Sequence, residues 1–512
     1  MHTKSHPRRN RIFWINALLF LVLGMLACQA SIPATPEATV AEAPTVLPTG
    51  TNPPTVIPPT DISPAHQAAA PPPTIAPTQV SEIVLDSAGD PYTPELGNGG
   101  YDVQRYTLAL ALNPENTALY QMKASTLIEA VATHPLNEIW LDFIGFEISE
   151  LLLDGENVHY QRSGDKLVAV PPVPILAGDT FKLSITYDGR PEIRQSPYAP
   201  FEDHLGFFYS GGENLYVLAE PDGARFWFPC NDHPIDKATF RFEIIVPEGY
   251  TAVANGVLLE QQTLEKSSER FIWEHNYPMA TYLAMVAVGR YVRMDAVSPS
   301  GIPLRHYAFP NYHHKFDVQM EIVGEALDWM SELFGPYPFE SFGYVSVVDH
   351  GVSMETQTMV LLDTRMIDQE TIIHEMTHMW FGDWVSLASW GEMWRNEGFA
   401  TYFQWYYPYR DDPEGFERIM RLRTQDVLGQ PNLESLSNLS PPNLFGYEAY
   451  IKGGVAVHAL RKQMGDEAFF AGLRRYFELY GGGVASDSEF KAVMEAAAGI
   501  SLDGFFAAWI GE

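Results

Sequence analysis

Two histidines four residues apart occur in the run His374-Glu375-Met376-Thr377-His378. Residues four apart lie on one face of an α-helix, so both imidazoles can bind the same metal ion. The glutamate between them projects beside such an ion, where it can take a proton from a water molecule. The spacing therefore predicts a hydrolytic metal site with Glu375 as the base.

A carboxylate that can serve as a third ligand follows on the next predicted helix. Glu397 comes nineteen residues after His378, in the run Asn396-Glu397-Gly398-Phe399-Ala400. Two imidazoles and one carboxylate leave the fourth position of a zinc ion open, which is typical of catalytic rather than structural zinc sites. The sequence therefore predicts one Zn²⁺ per chain, held by His374, His378 and Glu397.

The elements that position these residues form a unit of mixed helices and strands. The metal motif is predicted to lie on a helix over residues 369–381, with Asp368 as its N-cap and Gly382 as its stop. An α+β unit is therefore predicted over residues 299–512. Its other predicted elements are a short strand over 344–348 and helices over 315–334, 393–407, 450–464 and 488–498.

The preceding part of the chain shows the period of two that is typical of strands. Apolar residues alternate with polar or small ones in three runs, at 106–112, 181–187 and 240–246. Turn residues separate these runs, as in the segment Asp188-Gly189-Arg190-Pro191. An antiparallel β unit, a sandwich or a saddle, is therefore predicted over residues 92–298.

The first 28 residues have the pattern of an export signal. A basic head with no acidic residue precedes an apolar run over residues 12–27, which is shorter than the ~20 residues that span a bilayer as a helix. The run ends Met25-Leu26-Ala27-Cys28 and resembles a bacterial lipobox, which implies lipidation of Cys28. The expected location is the cell envelope, as an exported lipoprotein on the outer face of a membrane; the alternatives are secretion and an uncleaved signal anchor.

A linker follows the predicted signal. Residues 29–91 are rich in Pro, Thr and Ala, and the stretch 31–79 contains no Lys or Arg. Such a composition offers too little apolar surface to offset the entropy of ordering, so a disordered stalk is predicted.

The overall charge excludes one class of function. The chain has 512 residues with 32 basic and 64 acidic side chains, for a formal charge of −32. A nucleic-acid surface needs clustered Lys and Arg, so no nucleic-acid partner is expected. If Cys28 is lipidated, Cys230 is left as a single thiol, and a buried structural position is predicted for it.

Several motifs together resemble the aminopeptidase N family of zinc metallopeptidases, which are gluzincins with a thermolysin-like catalytic domain. The metal block HEMTHMWFGDW, followed by WGEMWRNEGFA, is similar to that of the family in sequence and spacing. Three further blocks, in the order of the family, begin at Glu220 (EPDGARFWFPC), Ser353 (SMET) and Tyr450 (YIKGG). The resemblance covers the chain from about residue 101 onward.

The resemblance implies roles for residues outside the metal site. Tyr450 would donate a hydrogen bond to the developing oxyanion, and the segment Ser353–Met354 would lie along the substrate backbone as an edge strand. Glu220 and Glu355 would bind the free α-ammonium group of a peptide, because two buried carboxylates repel one another unless a cation lies between them. The expected activity is removal of N-terminal residues from peptides, in a short form without the large C-terminal helical domain of many relatives.

Two other functions stay open from the sequence. A thermolysin-type endopeptidase would have the same zinc ligands but would not need Glu220 and Glu355. An inactive zincin that binds peptides at the cell surface would be expected to lack a ligand or the base, and all four residues are present here. The sequence does not indicate the preferred side chain, the oligomeric state or the membrane used.

Overall fold

The computed structural model describes residues 85–511, apart from 116–120, 211–213, 266, 349–350 and 438. The predicted signal peptide with Cys28, and the predicted stalk as far as residue 84, lie outside the described residues. All the described residues belong to one compact unit. Within the described part of the chain, no helix is both long enough and apolar enough to span a membrane.

The first part of the described chain is built from strands, as predicted, and the last five strands given below lie in the second part. The strands are β1 Tyr101–Ala111, β2 Met122–Ala132, β3 Ile139–Asp142, β4 Glu147–Leu153, β5 Glu156–Asn157, β6 His159–Ser163, β7 Lys166–Val170, β8 Thr180–Gly189, β9 Gly206–Ser210, β10 Asn214–Leu218, β11 Ala238–Pro247, β12 Thr251–Ala254, β13 Val257–Leu264, β14 Ser268–Met279, β15 Val286–Gly289, β16 Val292–Val297, β17 Pro303–Ala308, β18 Tyr344–Val347, β19 Val360–Asp363, β20 Ser386–Leu387 and β21 Val484–Ala485.

The largest sheet has eight strands in the order β13-β14-β11-β1-β2-β8-β4-β5. The alternating residues predicted to face inward on β1, β8 and β11 are buried. Most neighbouring strands are antiparallel, but β1 and β11 run parallel, with Tyr106 opposite Phe240. The predicted antiparallel unit thus includes a parallel pair, because a connection of more than 100 residues, unlike a hairpin, can return in either direction.

Two four-stranded sheets complete the frame around the site. One has the order β12-β15-β10-β9, and Glu220 follows its strand β10. The other has the order β16-β17-β18-β19. The predicted strand over residues 344–348 is present as β18, which pairs parallel to β19. A three-stranded sheet, β3-β7-β6, and the pair β20-β21 are smaller.

Helices dominate the second part of the described chain. The α-helices are α1 His313–Met320, α2 Val323–Phe334, α3 Gln369–Thr377, α4 Trp394–Tyr406, α5 Pro413–Gly429, α6 Gly453–Met464, α7 Asp466–Tyr480, α8 Asp487–Ala498 and α9 Asp503–Phe505. Short 3₁₀ helices cover Ala224–Phe226, Thr281–Leu283, Trp390–Glu392, Tyr407–Tyr409 and Pro441–Asn443, and π-helical turns cover Glu448–Lys452 and Phe506–Ile510.

The helix predicted over residues 315–334 is two helices in the structure. Glu321 and Ile322 separate α1 from α2 although both keep right-handed helical backbone angles. The amide of Ala326 still bonds to the carbonyl of Ile322 at 2.9 Å. The break is therefore a local loss of helical hydrogen bonding. Helices α5 and α7 were not predicted from the sequence.

Residues 85–91, which the sequence assigned to the stalk, take part in the fold. Leu85 packs against the core, and Asp90 is buried. The Asp90 carboxylate accepts a hydrogen bond from Ser389 Oγ at 2.7 Å and another from the Trp390 amide at 3.1 Å, and it lies 3.2 Å from Nε2 of His233. Residues 85–91 are thus an ordered part of the fold, because a charged side chain anchors a segment that composition alone marked as linker.

Candidate metal centre and substrate site

Helix α3 and its C-cap carry the two predicted histidine ligands. Asp368 caps its start, with its side chain accepting a hydrogen bond from the Thr371 amide at 2.9 Å, as predicted. The helix ends at Thr377, four residues before the predicted end, and His378 is its C-cap. Nδ1 of His378 lies 3.1 Å from the carbonyl of Phe381, so the turn that follows the helix fixes this ring.

The third predicted ligand lies beside both histidines. Oε2 of Glu397, in the first turn of α4, is 3.2 Å from Nε2 of His374 and 3.7 Å from Nε2 of His378. The three candidate ligand atoms lie within 4.8 Å of one another, in a buried setting. The structure therefore brings together the three residues that the sequence predicted as zinc ligands.

Electrostatics at this cluster favour a neutral His378 and an ionised Glu397. Burial lowers the pKa of His378 to about 4, against the opposing effect of Glu397. Burial alone would raise the pKa of Glu397, but the nearby His378 and His374, together with a hydrogen bond from Tyr450, hold it below its usual value. Neutral imidazole and ionised carboxylate are the forms that bind metal ions.

Glu375, the predicted base, is buried next to the ligand cluster. Burial raises the pKa of its carboxyl well above the usual value, and the charges of Glu355 and Glu397 raise it further. Any cation bound among these carboxylates would oppose that shift.

Glu220 and Glu355, here called the carboxylate pair, converge on Glu397. Glu220 follows β10, whereas Glu355 precedes β19, and one oxygen from each lies within 4.8 Å of an oxygen of Glu397 and of the other. Oε1 of both residues is buried and has no hydrogen-bond partner among the described residues. Burial raises the pKa of Glu355 to about 8, with a further contribution from Glu397.

The segment that carries Glu355 is held by the β unit. The amide of Gly256 donates a hydrogen bond to Oγ1 of Thr358 at 2.9 Å, and Asn255 Nδ2 donates to the carbonyl of Gln357 at 2.8 Å. Nε2 of Gln357 lies 2.8 Å from Nε2 of His275 on β14. These bonds fix Glu355 relative to the strands that position Glu220.

The predicted edge segment, Ser353–Met354, pairs with β19 at a single residue. The amide and the carbonyl of Met354 both bond to Leu361 at 2.9 Å, and the Met354 side chain is buried in the core. Ser353 Oγ accepts a hydrogen bond from the Asp363 amide at 3.2 Å. The residues on either side of a bridged residue point their backbone N–H and C=O groups away from the paired strand. The backbone groups at the free edge are therefore those of Ser353 and Glu355, and not those of Met354.

Tyr450 lies over the first histidine. Its ring stacks on His374 with centroids 5.8 Å apart and an interplanar angle of 9°. Two glycines allow this placement, because α4 and α6 are in backbone contact at Gly398 and Gly453. A Cβ added to Gly453 would lie only 2.9 Å from Cα of Gly398. The π-helical turn before Gly453 carries Tyr450, in place of the regular helix predicted over residues 450–464.

Two further residues of the site were not predicted. Oε1 of Gln404 lies 3.0 Å from Nδ1 of His374, and Gln404 comes seven residues after Glu397, two helical turns along the same face. That spacing was a signal available in the sequence. Asp383 is buried with both carboxylate oxygens unpaired among the described residues. Burial raises the pKa of Asp383, and the nearby charge of Glu355 raises it further. Only the folding of the loop that carries Asp383 brings these two residues together.

Comparison with known proteins places this arrangement in a family. Residues 102–283 match the Peptidase M1 N-terminal domain, and residues 318–509 match the Peptidase family M1 domain. The chain belongs to peptidase family M1, in a two-domain form.

Among curated relatives, human glutamyl aminopeptidase is 27% identical over 317 residues, which is 57% of this chain and 33% of that protein. Aminopeptidase N of Streptomyces lividans is 27% identical over 327 residues, which is 58% of this chain and 38% of that protein. The chain thus spans about a third of the length of these relatives.

Solved structures match over a larger share of their length. The M1 zinc metallopeptidase of Deinococcus radiodurans is 28% identical with a TM-score of 0.77, covering 83% of this chain and 97% of that chain. A mutant of that enzyme bound to the peptide Tyr-Ser-Ala gives a TM-score of 0.75 at 28% identity, covering 83% of this chain and 98% of that chain.

Proposed function

We propose that this protein is a zinc-dependent aminopeptidase that removes N-terminal residues from peptides. The observation that carries the proposal is the position of the carboxylate pair: Glu220 and Glu355 are within 4.8 Å of the ligand residue Glu397 and keep buried, unpaired oxygens. Such a pair beside a metal centre can receive one cationic group, and a peptide supplies one at its N-terminus.

The residues at the centre fit a zinc ion. His374 and His378 each direct Nε2 toward Glu397 while Nδ1 faces an oxygen, of Gln404 and Phe381 respectively. A hydrogen bond at Nδ1 places the proton there and leaves the Nε2 lone pair for a metal. Two imidazoles and one carboxylate are the donor set of catalytic zinc sites.

The carboxylate pair determines which peptide bond is cleaved. A substrate ammonium between Glu220 and Glu355 would satisfy their unpaired oxygens and remove their mutual repulsion. Since both residues adjoin Glu397, binding of the N-terminus there positions the first peptide bond at the metal centre.

The reaction then depends on residues of this chain. A bound zinc ion supplies polarisation of the scissile carbonyl and a lowered pKa of water. Glu375 accepts a proton from the attacking water and delivers it to the amine that leaves. Tyr450 donates a hydrogen bond from its phenolic O–H to the oxygen on which negative charge develops, a contribution on the order of 10²–10³ in rate.

The test of the proposal is a measurement of zinc content together with hydrolysis of aminoacyl chromogenic amides. We expect one zinc per chain, release of product from unblocked aminoacyl amides, and reversible loss of activity on chelation. A zinc-loaded protein that binds such amides without cleaving them would instead indicate an inactive peptide-binding zincin.

We further propose that the protein is exported and anchored to a membrane by lipid on Cys28. The basic head, the short apolar run and the residues Leu26-Ala27-Cys28 support this, and all lie outside the described residues. Metabolic labelling with a fatty acid should mark the wild type and not Cys28→Ala. An unlabelled wild type that is found in the membrane fraction would favour an uncleaved signal anchor.

A further inference from the structure

Five carboxyl groups lie close together at the proposed metal centre. They belong to the candidate zinc ligand Glu397, the proposed base Glu375, the carboxylate pair Glu220 and Glu355, and Asp383. Burial raises the pKa of Glu220 well above its usual value, and the charges of the other four groups raise it further. A zinc ion and one substrate ammonium group bring three positive charges to these five groups. Two negative charges are therefore left over when all five are ionised.

Lys237, just before β11, does not pair with these carboxylates. Its Nζ donates hydrogen bonds to three backbone carbonyls, those of Asp383 at 2.7 Å, Trp384 at 3.2 Å and Gly483 at 3.4 Å. Burial lowers the pKa of Lys237 to about 7, against the opposing effect of Asp383, so its charge is only partial at neutral pH. Both carboxylate oxygens of Asp383 are buried and have no hydrogen-bond partner among the described residues. Lys237 thus fixes the loop that carries Asp383 and not the carboxylate itself.

Three of the five groups are spaced so that one ion can contact all of them. One oxygen each from Glu220, Glu355 and Glu397 lies within 4.8 Å of the other two. Two oxygens on opposite sides of one Ca²⁺ ion are roughly 4.6–5.2 Å apart, which is twice the length of a Ca²⁺–O bond. Carboxylate oxygens are the ligands that hard divalent cations such as Ca²⁺ and Mn²⁺ prefer. Oε1 of Glu220 and Oε1 of Glu355 are buried without a partner among the described residues, so both are available to such an ion.

We propose that the carboxylate pair and Glu397 bind a second, hard divalent cation when no peptide occupies the site. Glu397 is then shared between this cation and the zinc ion. A peptide N-terminus and the second cation need the same oxygens, so each excludes the other. The second cation is therefore an inhibitor that competes with free N-termini. The competition rests on the proposed aminopeptidase function, whereas binding of the cation depends on the carboxylates alone.

Charge favours the divalent cation at this place. It brings twice the charge of an ammonium group to buried carboxylates that repel one another. A bound divalent cation also keeps the carboxylates around it ionised, against the effect of burial. The formal charge of −32 raises the concentration of cations around the whole chain. The site is thus supplied with metal ions whenever peptide is scarce.

The experiment adds Mn²⁺ to the zinc-loaded protein and counts bound Mn²⁺ from the loss of its free EPR signal, with zinc content measured alongside. Zinc stays at its own site because imidazole ligands bind it more tightly than Mn²⁺. The wild type and the control Glu325→Gln, exposed on α2, should each bind one Mn²⁺ per chain in addition to zinc. Glu355→Gln loses one anionic ligand, so it should bind Mn²⁺ at least about tenfold more weakly and keep its zinc.

Two further measurements on the wild type test the competition. An amino acid amide should displace the bound Mn²⁺, and its N-acetylated form should not, because acetylation removes the positive charge. In hydrolysis of aminoacyl chromogenic amides, Mn²⁺ should raise KM and leave kcat unchanged. At a concentration ten times its dissociation constant the rise in KM should be about tenfold.

Each remaining outcome also decides. Mn²⁺ that binds Glu355→Gln as it binds the wild type, or that neither amide displaces, would be an adventitious ion only and would overturn the inference. If Glu355→Gln loses its zinc or folds poorly, displacement from the wild type by the unblocked amide alone supports the inference. A wild type that cleaves amides and binds no Mn²⁺ would overturn the inference and leave the proposed function intact. A wild type that binds one displaceable Mn²⁺ and cleaves no amide would support the cation site and overturn the proposed function.

Discussion

Nδ1 of His374 lies 3.0 Å from the side-chain oxygen of Gln404, and Nε2 of the same ring faces Glu397 at 3.2 Å. Gln404 thereby holds the proton of His374 at Nδ1 and leaves Nε2 for the metal. Gln404→Met keeps the size of the side chain and removes the acceptor. We expect zinc affinity to fall about 10–100-fold in competition with a chromogenic chelator.

The matched control for that measurement is Gln425→Met, at an exposed position on α5. It should bind zinc as the wild type does. Equal zinc affinity in Gln404→Met and the wild type would mean that the 3.0 Å contact does not orient His374.

Glu375→Gln tests the assignment of the base. The substitution removes the proton acceptor but no ligand, so zinc content should stay at one per chain. Turnover of aminoacyl amides should fall by about 10²–10⁴, the usual contribution of general base catalysis. A variant that keeps both its zinc and its turnover would require another base.

Tyr450→Phe tests the oxyanion donor. The ring can still stack on His374, so substrate binding should change little, while kcat should fall on the order of 10²–10³. Tyr480→Phe, which removes a phenol from the end of α7, should match the wild type. A rise in KM with unchanged kcat would assign Tyr450 to substrate binding instead.

Asp90→Asn tests the ordered segment before β1. Burial would raise the pKa of Asp90, but hydrogen bonds from His233 and Ser389 lower it from 3.8 to about 2. A carboxyl with a lower pKa in the folded state stabilises the fold above its ordinary pKa, and this contribution is lost as the pH falls toward 2. The substitution should cost about 1–3 kcal/mol at pH 7, and less below pH 4.

Urea unfolding of the wild type, Asp90→Asn and the exposed control Asp86→Asn at several pH values measures this. A difference in the free energy of unfolding that is the same at pH 7 and pH 3 would show that the charge of Asp90 is not what stabilises the segment.

Sequence patterns predicted those features that depend on local spacing. Alternation identified β1, β8 and β11, because one face of each strand is buried. The four-residue spacing of His374 and His378 identified the metal helix, and the family resemblance indicated that Glu220 and Glu355 would meet. The strand alternation and the histidine pair carry their information in residue types and intervals, whereas the roles of Glu220 and Glu355 came from the resemblance.

Features that depend on distant parts of the chain were not predictable in this way. No local pattern sets β11 parallel to β1, and no composition signal marks Asp90 as the anchor to Ser389 and Trp390. Asp383 joins the site only through the folding of its loop. For α5, by contrast, the signal was present, since Asp412 caps the helix and Pro413 occupies its first position.

The central claim is that the carboxylate pair binds a free N-terminus, and one substrate comparison tests it most directly. The same peptide, with a free and with an acetylated N-terminus, is given to the wild type, to Glu355→Gln and to the exposed control Glu325→Gln on α2. Acetylation removes the positive charge, so the wild type and Glu325→Gln should cleave only the free peptide. Glu355→Gln should keep its zinc and lose about 2–5 kcal/mol of transition-state stabilisation on the free peptide. Equal cleavage of the free and acetylated peptides by the wild type would contradict the account and indicate a thermolysin-type endopeptidase.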